Sequence, residues 1–126
     1  MPAIPICAGC YDPDKPYPSV GVDNEAAGQR ITRHLMDLGH RRVATVSAIH
    51  RNNDRAQARS RGVLTVLADH GAQPPAQWQM QVNYNLDEAR QAARTLFGQH
   101  DHPTAVICGN DVIAYGVMLE AIRMGL

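Results

Sequence analysis

The chain has 126 residues, of which 44% are hydrophobic and 19% charged, and its twelve basic side chains balance twelve acidic ones. This length allows one compact domain, the composition excludes a disordered chain, and the zero net charge gives no electrostatic reason to expect nucleic-acid or membrane binding. No apolar run approaches the roughly 18 residues of a membrane helix, and the first residues lack a signal-peptide pattern, so we expect a cytoplasmic protein.

The beginning of the chain predicts two short strands. Residues 3–8 form an apolar run bounded by turn formers, and residues 19–22 form a second run after a proline-rich loop. Cys7 and Cys10 have the spacing of a thiol–disulfide motif, but the prolines that follow exclude the helix that would activate such a pair. We therefore expect free thiols and no zinc site.

A helix is predicted between an amino-terminal cap at residues 23–24 and a left-handed carboxyl-terminal cap at Gly39. The segment at residues 39–42, Gly-His-Arg-Arg, then joins the end of this helix to the start of a strand. Ligands of open α/β sheets bind at the opposite, carboxyl edge, so we interpret this basic segment as a structural turn. Four apolar side chains at helical spacing predict the buried face of the helix: Ala27, Ile31, Leu35 and Leu38.

Strands and helices alternate through the rest of the chain, and each helix ends at or beside a glycine. This order predicts parallel βαβ units with right-handed crossovers, and hence an α/β fold with a three-layer, doubly wound parallel sheet. The last strand is continuously apolar, which predicts helices on both of its faces. The strands are predicted at residues 43–49, 79–83 and 104–108, and the helices at residues 54–70, 87–97 and 111–124.

Three polar loops, at residues 50–54, 83–85 and 109–111, follow the predicted strands and lead into helices. Free N–H groups at helix starts favour oxygen-rich or anionic ligands, and Asn and Asp side chains suit hydroxylated ligands. Asp54 and Asp111 fit this role, but they fit a role as helix caps equally well.

Arg59 is the candidate ligand-binding side chain that the helical pattern singles out, because it lies on the inner stripe of its helix. A charge on the core side is unfavourable unless it is paired or functional, and a guanidinium can clamp two ligand oxygens. A structural ion pair would also explain an inward arginine. Tyr84 could pack on a sugar or purine ring, or it could be a tyrosine of the core or rim. The apolar members of the Arg59 stripe are Ala56, Val63, Val66 and Leu67.

Several enzyme motifs are missing from the sequence. It contains no G-x-G-x-x-G or G-x-x-x-x-G-K-[ST] phosphate loop, no G-x-S-x-G elbow and no evident nucleophile–base pair. His100 and His102 stand in a loop at the amino edge without a second cluster of ligands. We therefore expect a protein that is not an enzyme and that uses neither a metal nor a cofactor.

Four motifs resemble the lactose-repressor/galactose-repressor (LacI/GalR) family of bacterial transcription regulators: VGVDNEAAG, HLMDLGHRRVA, RSRG and PTAVICGNDVIAYGVMLEAIRMGL. They keep the order and spacing of that family from about residue 3 onward. The resemblance implies the periplasmic-binding-protein-like fold of a two-lobed effector-binding core. In that family small molecules, often sugars or nucleobases, bind between the lobes and change the affinity for operator DNA.

The resemblance also assigns roles to single residues. Arg59 matches the arginine that clamps the effector, and Asn110 matches a position that contacts effector in some members. Tyr84 falls where others place an aromatic ring against the ligand, and Asn53 falls where a polar or basic side chain often reaches it. Because family members dimerise through this lobe, a homodimer through the helix at residues 111–124 is expected.

The resemblance covers only part of a family member. We expect residues 1–22 to be a remnant of the first lobe and hinge, and residues 23–126 to be a second lobe that is truncated at its carboxyl terminus. The DNA-binding helix-turn-helix domain is absent, so operator DNA would be contacted only by the intact protein. We expect this chain to be the effector-sensing part of a LacI-family repressor. The alternative is that it belongs to the sugar-binding protein of an ABC-type transport system.

Overall fold

The computed structural model describes residues 3–126. It contains five strands and four α-helices within these residues, and a short 3₁₀ turn precedes the fourth strand. The elements are β1 (Cys7–Cys10), β2 (Ser19–Val22), α1 (Asn24–Asp37), β3 (Val43–Ala48), α2 (Asp54–Asp69), β4 (Gln79–Val82), α3 (Leu86–Phe97), β5 (Ala105–Cys108) and α4 (Asp111–Arg123).

The main sheet has the order β4-β3-β5, and both of its strand pairs are parallel. Alternate residues of β3 point to opposite faces, so that Val43 packs with α1 and α2 whereas Val46 packs with α3 and α4. The three layers confirm the predicted α/β fold. Strand β5 also contacts helices on both faces, as predicted, but its side chains are only half-buried because no described strand pairs with its outer edge.

Strands β1 and β2 form a separate two-stranded parallel sheet. The prediction of a strand at residues 3–8 is wrong in its bounds, since the strand begins at Cys7 and ends at Cys10. Pro5 lacks the N–H group that a strand pairing would use, which accounts for the later start. The cysteines of β1 are free, and the pKa of the Cys10 thiol is raised by desolvation and by the nearby Asp54 carboxylate. Such a thiol is not activated.

Helices α1 and α2 approach each other so closely that their backbones touch. A Cβ atom on Gly28 would lie 2.2 Å from the carbonyl oxygen of Arg59, and one on Gly62 would lie 2.1 Å from the carbonyl oxygen of Glu25. Real Cβ atoms do not come this near to backbone oxygen. The contact is therefore reciprocal, and it requires glycine on both helices.

This contact changes which face of α1 is buried. The predicted apolar face is only partly buried: Ala27 and Leu35 are half-buried and Leu35 packs against the core, but Ile31 is 46% and Leu38 is 63% exposed. A backbone-to-backbone contact selects the smallest side chains in place of the most apolar ones, and Thr32 satisfies its hydroxyl by donating to the Gly28 carbonyl at 2.7 Å. The face that is buried consists of Asn24, Gly28, Thr32 and Met36.

Helices α3 and α4 pack on the other face of the sheet around a buried carboxylate, Glu120. Its oxygens accept hydrogen bonds from Arg123 Nε at 2.7 Å and Arg90 Nε at 3.0 Å, and Arg94 lies 3.1 Å away. The bonds from Arg123, Arg90 and Arg94 hold the pKa of Glu120 at about 2 against the opposing effect of desolvation. Because Glu120 lies in a predominantly apolar helix, the hydrophobic pattern of the sequence did not predict a buried carboxylate there.

The basic segment at residues 39–42 closes the amino edge of the sheet. Gly39 has a φ of 89°, as a left-handed helix cap requires, and Arg41 Nη1 donates to the carbonyl oxygen of Met36 at 3.0 Å. Arg42 pairs with Asp101 across the turn. Since these polar groups are occupied by the chain itself, the segment is a structural turn, as the sequence predicted.

We predict that Gly28→Ala destabilises the protein by about 1–3 kcal/mol, the usual range for overpacking a well-packed contact, because the added methyl must displace the Arg59 carbonyl. Urea denaturation measures the change. Arg30→Ala, at an exposed position of the same helix, is the control and should stay within about 0.5 kcal/mol of the parent. Equal midpoints for the two variants would show that the helices are not in backbone contact.

The second prediction concerns acid stability. Since folding lowers the Glu120 pKa from 4.5 to about 2, its stabilising contribution is complete above pH 4.5 and is lost as the pH falls toward 2. Glu120→Gln should therefore lower the melting temperature at pH 7, and the difference from the parent should shrink between pH 4.5 and 2. Glu25→Gln, at the exposed Glu25–Arg61 pair, should have little effect at any pH. A pH-independent difference for Glu120→Gln would contradict the prediction.

Candidate ligand site

A polar cleft of about 370 Å³ lies beyond the carboxyl ends of the strands, between the starts of α2 and α4. This is the edge at which the sequence places three polar loops, and it is where open α/β sheets bind ligands. The cleft brings together the four residues that the sequence nominates, since it is lined by Asn53, Arg55, Arg59, Tyr84, Gly109, Asn110 and Asp111.

Two of these side chains also begin helices. Asn53 Oδ1 accepts from the backbone N–H of Ala56 at 3.1 Å, and Asn110 Oδ1 accepts from that of Ile113 at 2.9 Å. Each asparagine therefore caps its helix through the oxygen of its amide. The nitrogen of the amide is not needed for the cap and remains available for other partners.

The capping alternative for Asp54 and Asp111 is wrong, because each is the first residue of its helix and follows the asparagine that caps it. Their carboxylates accept from the next backbone N–H, at 2.8 Å for Asp54 and 2.9 Å for Asp111. Negative charge at this position is favourable to the helix dipole. Asp111 in addition places a carboxylate on the wall of the cleft.

Two buried donors in the cleft have no partner. Arg59 Nε and Asn110 Nδ2 are both inaccessible to solvent and make no hydrogen bond within residues 3–126. An unpaired buried donor costs about 1–3 kcal/mol, so folded proteins rarely keep one without a reason. Both donors belong to residues that line the same cleft.

Arg59 is half-buried on α2 and is held by one side chain, since its Nη1 donates to Asn24 Oδ1. No ion pair of the described residues includes Arg59. The alternative that an acidic partner explains this inward arginine is therefore wrong for residues 3–126. Asn24 is a contact that the sequence did not suggest. The spacing of Asn24 with Gly28 and Thr32 did not indicate this contact, because the more apolar pattern of Ala27, Ile31 and Leu35 lies one residue earlier than the face that is buried.

Tyr84 is 61% exposed at the rim of the cleft, which excludes a core role. Glu88 fixes the loop that carries it by accepting from Asn83 N at 2.7 Å and from Asn85 Nδ2 at 3.1 Å. A third bond, from Asn83 Nδ2 at 2.8 Å, has the largest effect, and together the three bonds lower the pKa of Glu88. Tyr84 is thus exposed at the cleft on a loop that these bonds order.

A second cavity of about 320 Å³ lies between the α1–α2 pair and the sheet, and Arg59 lines both cavities. In it His50 Nε2 is 3.0 Å from Ser47 Oγ and 2.9 Å from Ser60 Oγ. The sequence did not single out His50. Burial raises the pKa of the Cys108 thiol on the same wall to about 11, so this thiol stays protonated and is not a nucleophile.

Residues 3–126 hold neither a metal-ligand cluster nor a membrane-spanning helix. No three His, Cys, Asp or Glu side chains of this part of the chain cluster as metal ligands would. Among the described helices, none combines the length and the apolar composition that a membrane crossing requires.

A parallel α/β unit with a polar cleft at the carboxyl ends of its strands has the architecture of an open α/β lobe, the class of fold in which ligands bind at that edge. Comparison with known families identifies which one. Residues 2–125 match the family described as periplasmic binding proteins and the sugar-binding domain of the LacI family. The chain belongs to this LacI/GalR family, as its sequence motifs indicated.

Relatives and solved structures agree with this assignment. The chain is 32% identical over 106 residues to the HTH-type transcriptional repressor PurR of Vibrio vulnificus (strain CMCP6), which covers 83% of this chain and 31% of that protein. A LacI family transcriptional regulator from Mycobacterium smegmatis is 34% identical with a TM-score of 0.78, over 90% of this chain and 42% of the other. A regulatory protein of LacI family from Chloroflexus aggregans shares the fold, with a TM-score of 0.87 at 23% identity over 96% of this chain and 43% of the other. The chain therefore spans about a third of the length of the curated relatives.

Proposed function

We propose that this chain is the effector-sensing part of a LacI-family transcriptional repressor. Residues 23–126 form the second lobe and residues 1–22 belong to the first lobe and hinge. A small oxygen-rich molecule, such as a sugar, binds in the cleft and changes the affinity of the whole protein for operator DNA. The observation that supports this most directly is the pair of buried, unpartnered donors, Arg59 Nε and Asn110 Nδ2, on one cleft.

Each proposed ligand-binding residue has a chemical role. The Arg59 guanidinium clamps two acceptor oxygens, and Asn110 donates its amide N–H to a third. Asn53 offers the amide of a second helix cap on the same wall. Tyr84 packs its ring against the apolar face of a sugar or base. Together these groups supply donors and one aromatic surface, which suits hydroxylated and carbonyl-bearing ligands.

The names of the relatives favour a regulator over the transport alternative. The family description covers periplasmic binding proteins as well as the LacI family, but the relatives compared above are named as repressors and regulators. The polar cleft also favours binding over catalysis. Its charged and polar groups begin helices or donate hydrogen bonds, and no nucleophile among them lies beside a base. DNA contact in the whole protein is assigned to a helix-turn-helix domain outside this sequence.

We predict that Arg59→Ala and Asn110→Ser each weaken ligand binding by about 2 kcal/mol, or roughly 30-fold, because each removes a buried donor to a ligand oxygen. Serine keeps the helix cap, so Asn110→Ser should melt within a few tenths of a kcal/mol of the parent. Calorimetric titration with D-glucose, D-ribose and adenine identifies the ligand class and then measures both variants.

Matched controls use arginines outside the cleft. Arg61→Ala removes an exposed arginine two positions along α2, and Arg30→Ala removes an exposed arginine of α1. Both should bind as the parent does. The proposal fails if none of the three compounds binds to the parent, or if the cleft variants bind no more weakly than the controls.

We further propose a homodimer through α4. Tyr115, Met118 and Ile122 are at least half exposed on this helix, whereas Ile113 and Val117 are buried against the sheet side. A helix with apolar side chains on its outer face is typical of one that is covered by a second subunit. The unpaired outer edge of β5 lies close by, and Met118 lines the groove beside it, so strand exchange between copies would bury the same surface.

We predict that Ile122→Asp converts the dimer to a monomer at about 100 μM, a concentration that saturates a micromolar interface. A buried carboxylate without a partner is strongly unfavourable, so the interface cannot tolerate it. Sedimentation velocity measures the change. Leu38→Asp is the control, because Leu38 and Ile122 are equally exposed, at 63%. A parent chain that sediments as a monomer at this concentration would disprove the dimer.

A further inference from the structure

Asn24 is a buried polar residue that does not cap its helix. It is 7% exposed at the first position of α1, where Asp23 already provides the cap by accepting from Ala26 N at 2.9 Å. Burial of an amide is unfavourable unless both of its ends have partners. The partners of Asn24 therefore explain why an asparagine occupies this position.

Both ends of the Asn24 amide are satisfied by other elements. Its Oδ1 accepts from Arg59 Nη1 on α2, and its Nδ2 donates to the carbonyl oxygen of Val22 at 3.0 Å at the end of β2. The same nitrogen lies 3.9 Å from Cys10 Sγ at the end of β1. One side chain thus joins the arginine of the cleft to both strands of the two-stranded sheet.

The backbone beneath Arg59 is fixed separately. Gly28, one turn along α1 from Asn24, lies against the carbonyl group of Arg59. This contact fixes the position of the Arg59 backbone relative to α1. The long arginine side chain still has several rotatable bonds between this backbone and its guanidinium. The orientation of its guanidinium is therefore left to the hydrogen bond with Asn24.

The geometry of guanidinium shows what this bond achieves. Nη1 lies on the Cδ side of the group, whereas the N–H bonds of Nε and Nη2 point the same way along the opposite edge. That edge is the side-on fork that binds two oxygens of a carboxylate, a phosphate or a pair of hydroxyls. With Nη1 bound to Asn24, the donor of this fork at Nε has no competing partner: it is buried and makes no hydrogen bond within residues 3–126.

We propose that Asn24 is a positioning residue for ligand recognition: its Oδ1 holds Nη1 of Arg59, so that the Nε–Nη2 edge is oriented before the ligand arrives. Holding a flexible side chain in its bound orientation reduces the entropy lost on binding, by about 0.5–1.5 kcal/mol for each such side chain. The ligand half of this inference rests on the proposed function. The orientation of Arg59 does not, and it can be measured without a ligand.

Two substitutions distinguish the role of the Asn24 amide oxygen from that of its amide nitrogen. Asn24→Leu removes both the acceptor and the donor in a side chain of similar size. Asn24→Asp keeps the acceptor for Arg59 and loses the donor to Val22. Thr32→Val is the control, because Thr32 is the next buried polar residue along the same face and bonds only to its own helix.

The experiment is nitrogen NMR of the arginine guanidinium groups in the 126-residue chain. In the parent, the Arg59 Nη atoms should give separate signals, because the bond to Asn24 slows rotation of the group. These signals should merge in Asn24→Leu, remain separate in Asn24→Asp and remain separate in Thr32→Val. Merged signals in the parent, or the same change in Thr32→Val as in Asn24→Leu, would overturn the proposal.

A second measurement tests the consequence for binding. With whichever of D-glucose, D-ribose and adenine binds to the parent, affinity should fall about three- to tenfold in Asn24→Leu and should be recovered in Asn24→Asp. Equal affinity in Asn24→Leu and the parent would show that orientation of Arg59 does not contribute to recognition. If none of the compounds binds to the parent while the NMR signals change as expected, the proposed function fails and the positioning of Arg59 stands.

Discussion

The backbone contact between α1 and α2 is the constraint on which the rest of the α1–α2 face depends. Because Gly28 and Gly62 each lie against a carbonyl group of the other helix, the two helices have one distance and one register. In that register the small and polar face of α1 is buried, and Asn24 lies within hydrogen-bonding distance of Arg59. A larger residue at either glycine would separate the helices and change the cleft as well as the core.

Patterns of local sequence were sufficient for most of the fold. The continuously apolar run of β5 and the glycine after each helix placed the elements after β1 to within one or two residues, because burial and helix termination depend on near neighbours. The buried face of α1 and the carboxylate of Glu120 were not predictable in this way. The first depends on how near another helix comes, and the second depends on arginines from two helices that meet only in the folded chain.

The candidate site was predictable to a similar extent. Arg59 is conspicuous because it breaks an apolar stripe, and Asn53 and Asn110 stand where helices begin, so topology alone brings them to one edge. Their convergence on a single cleft agrees with the pattern. Asn24 and His50 could not be found, because their roles depend on partners 35 and 10 residues away and on no local motif.

The double use of Asn110 has a consequence for how such a site can diversify during evolution. Its oxygen begins α4, and in the proposed function its nitrogen donates to the ligand, so the residues that preserve the helix start are few: aspartate, serine, threonine and glycine. None of them offers an amide donor to a ligand. Selection for a new ligand at this position therefore acts on stability at the same time. Tyr84 is exposed on a loop that Glu88 holds, so a substitution of Tyr84 does not disturb a helix start. Variation in specificity should therefore accumulate at Tyr84 first.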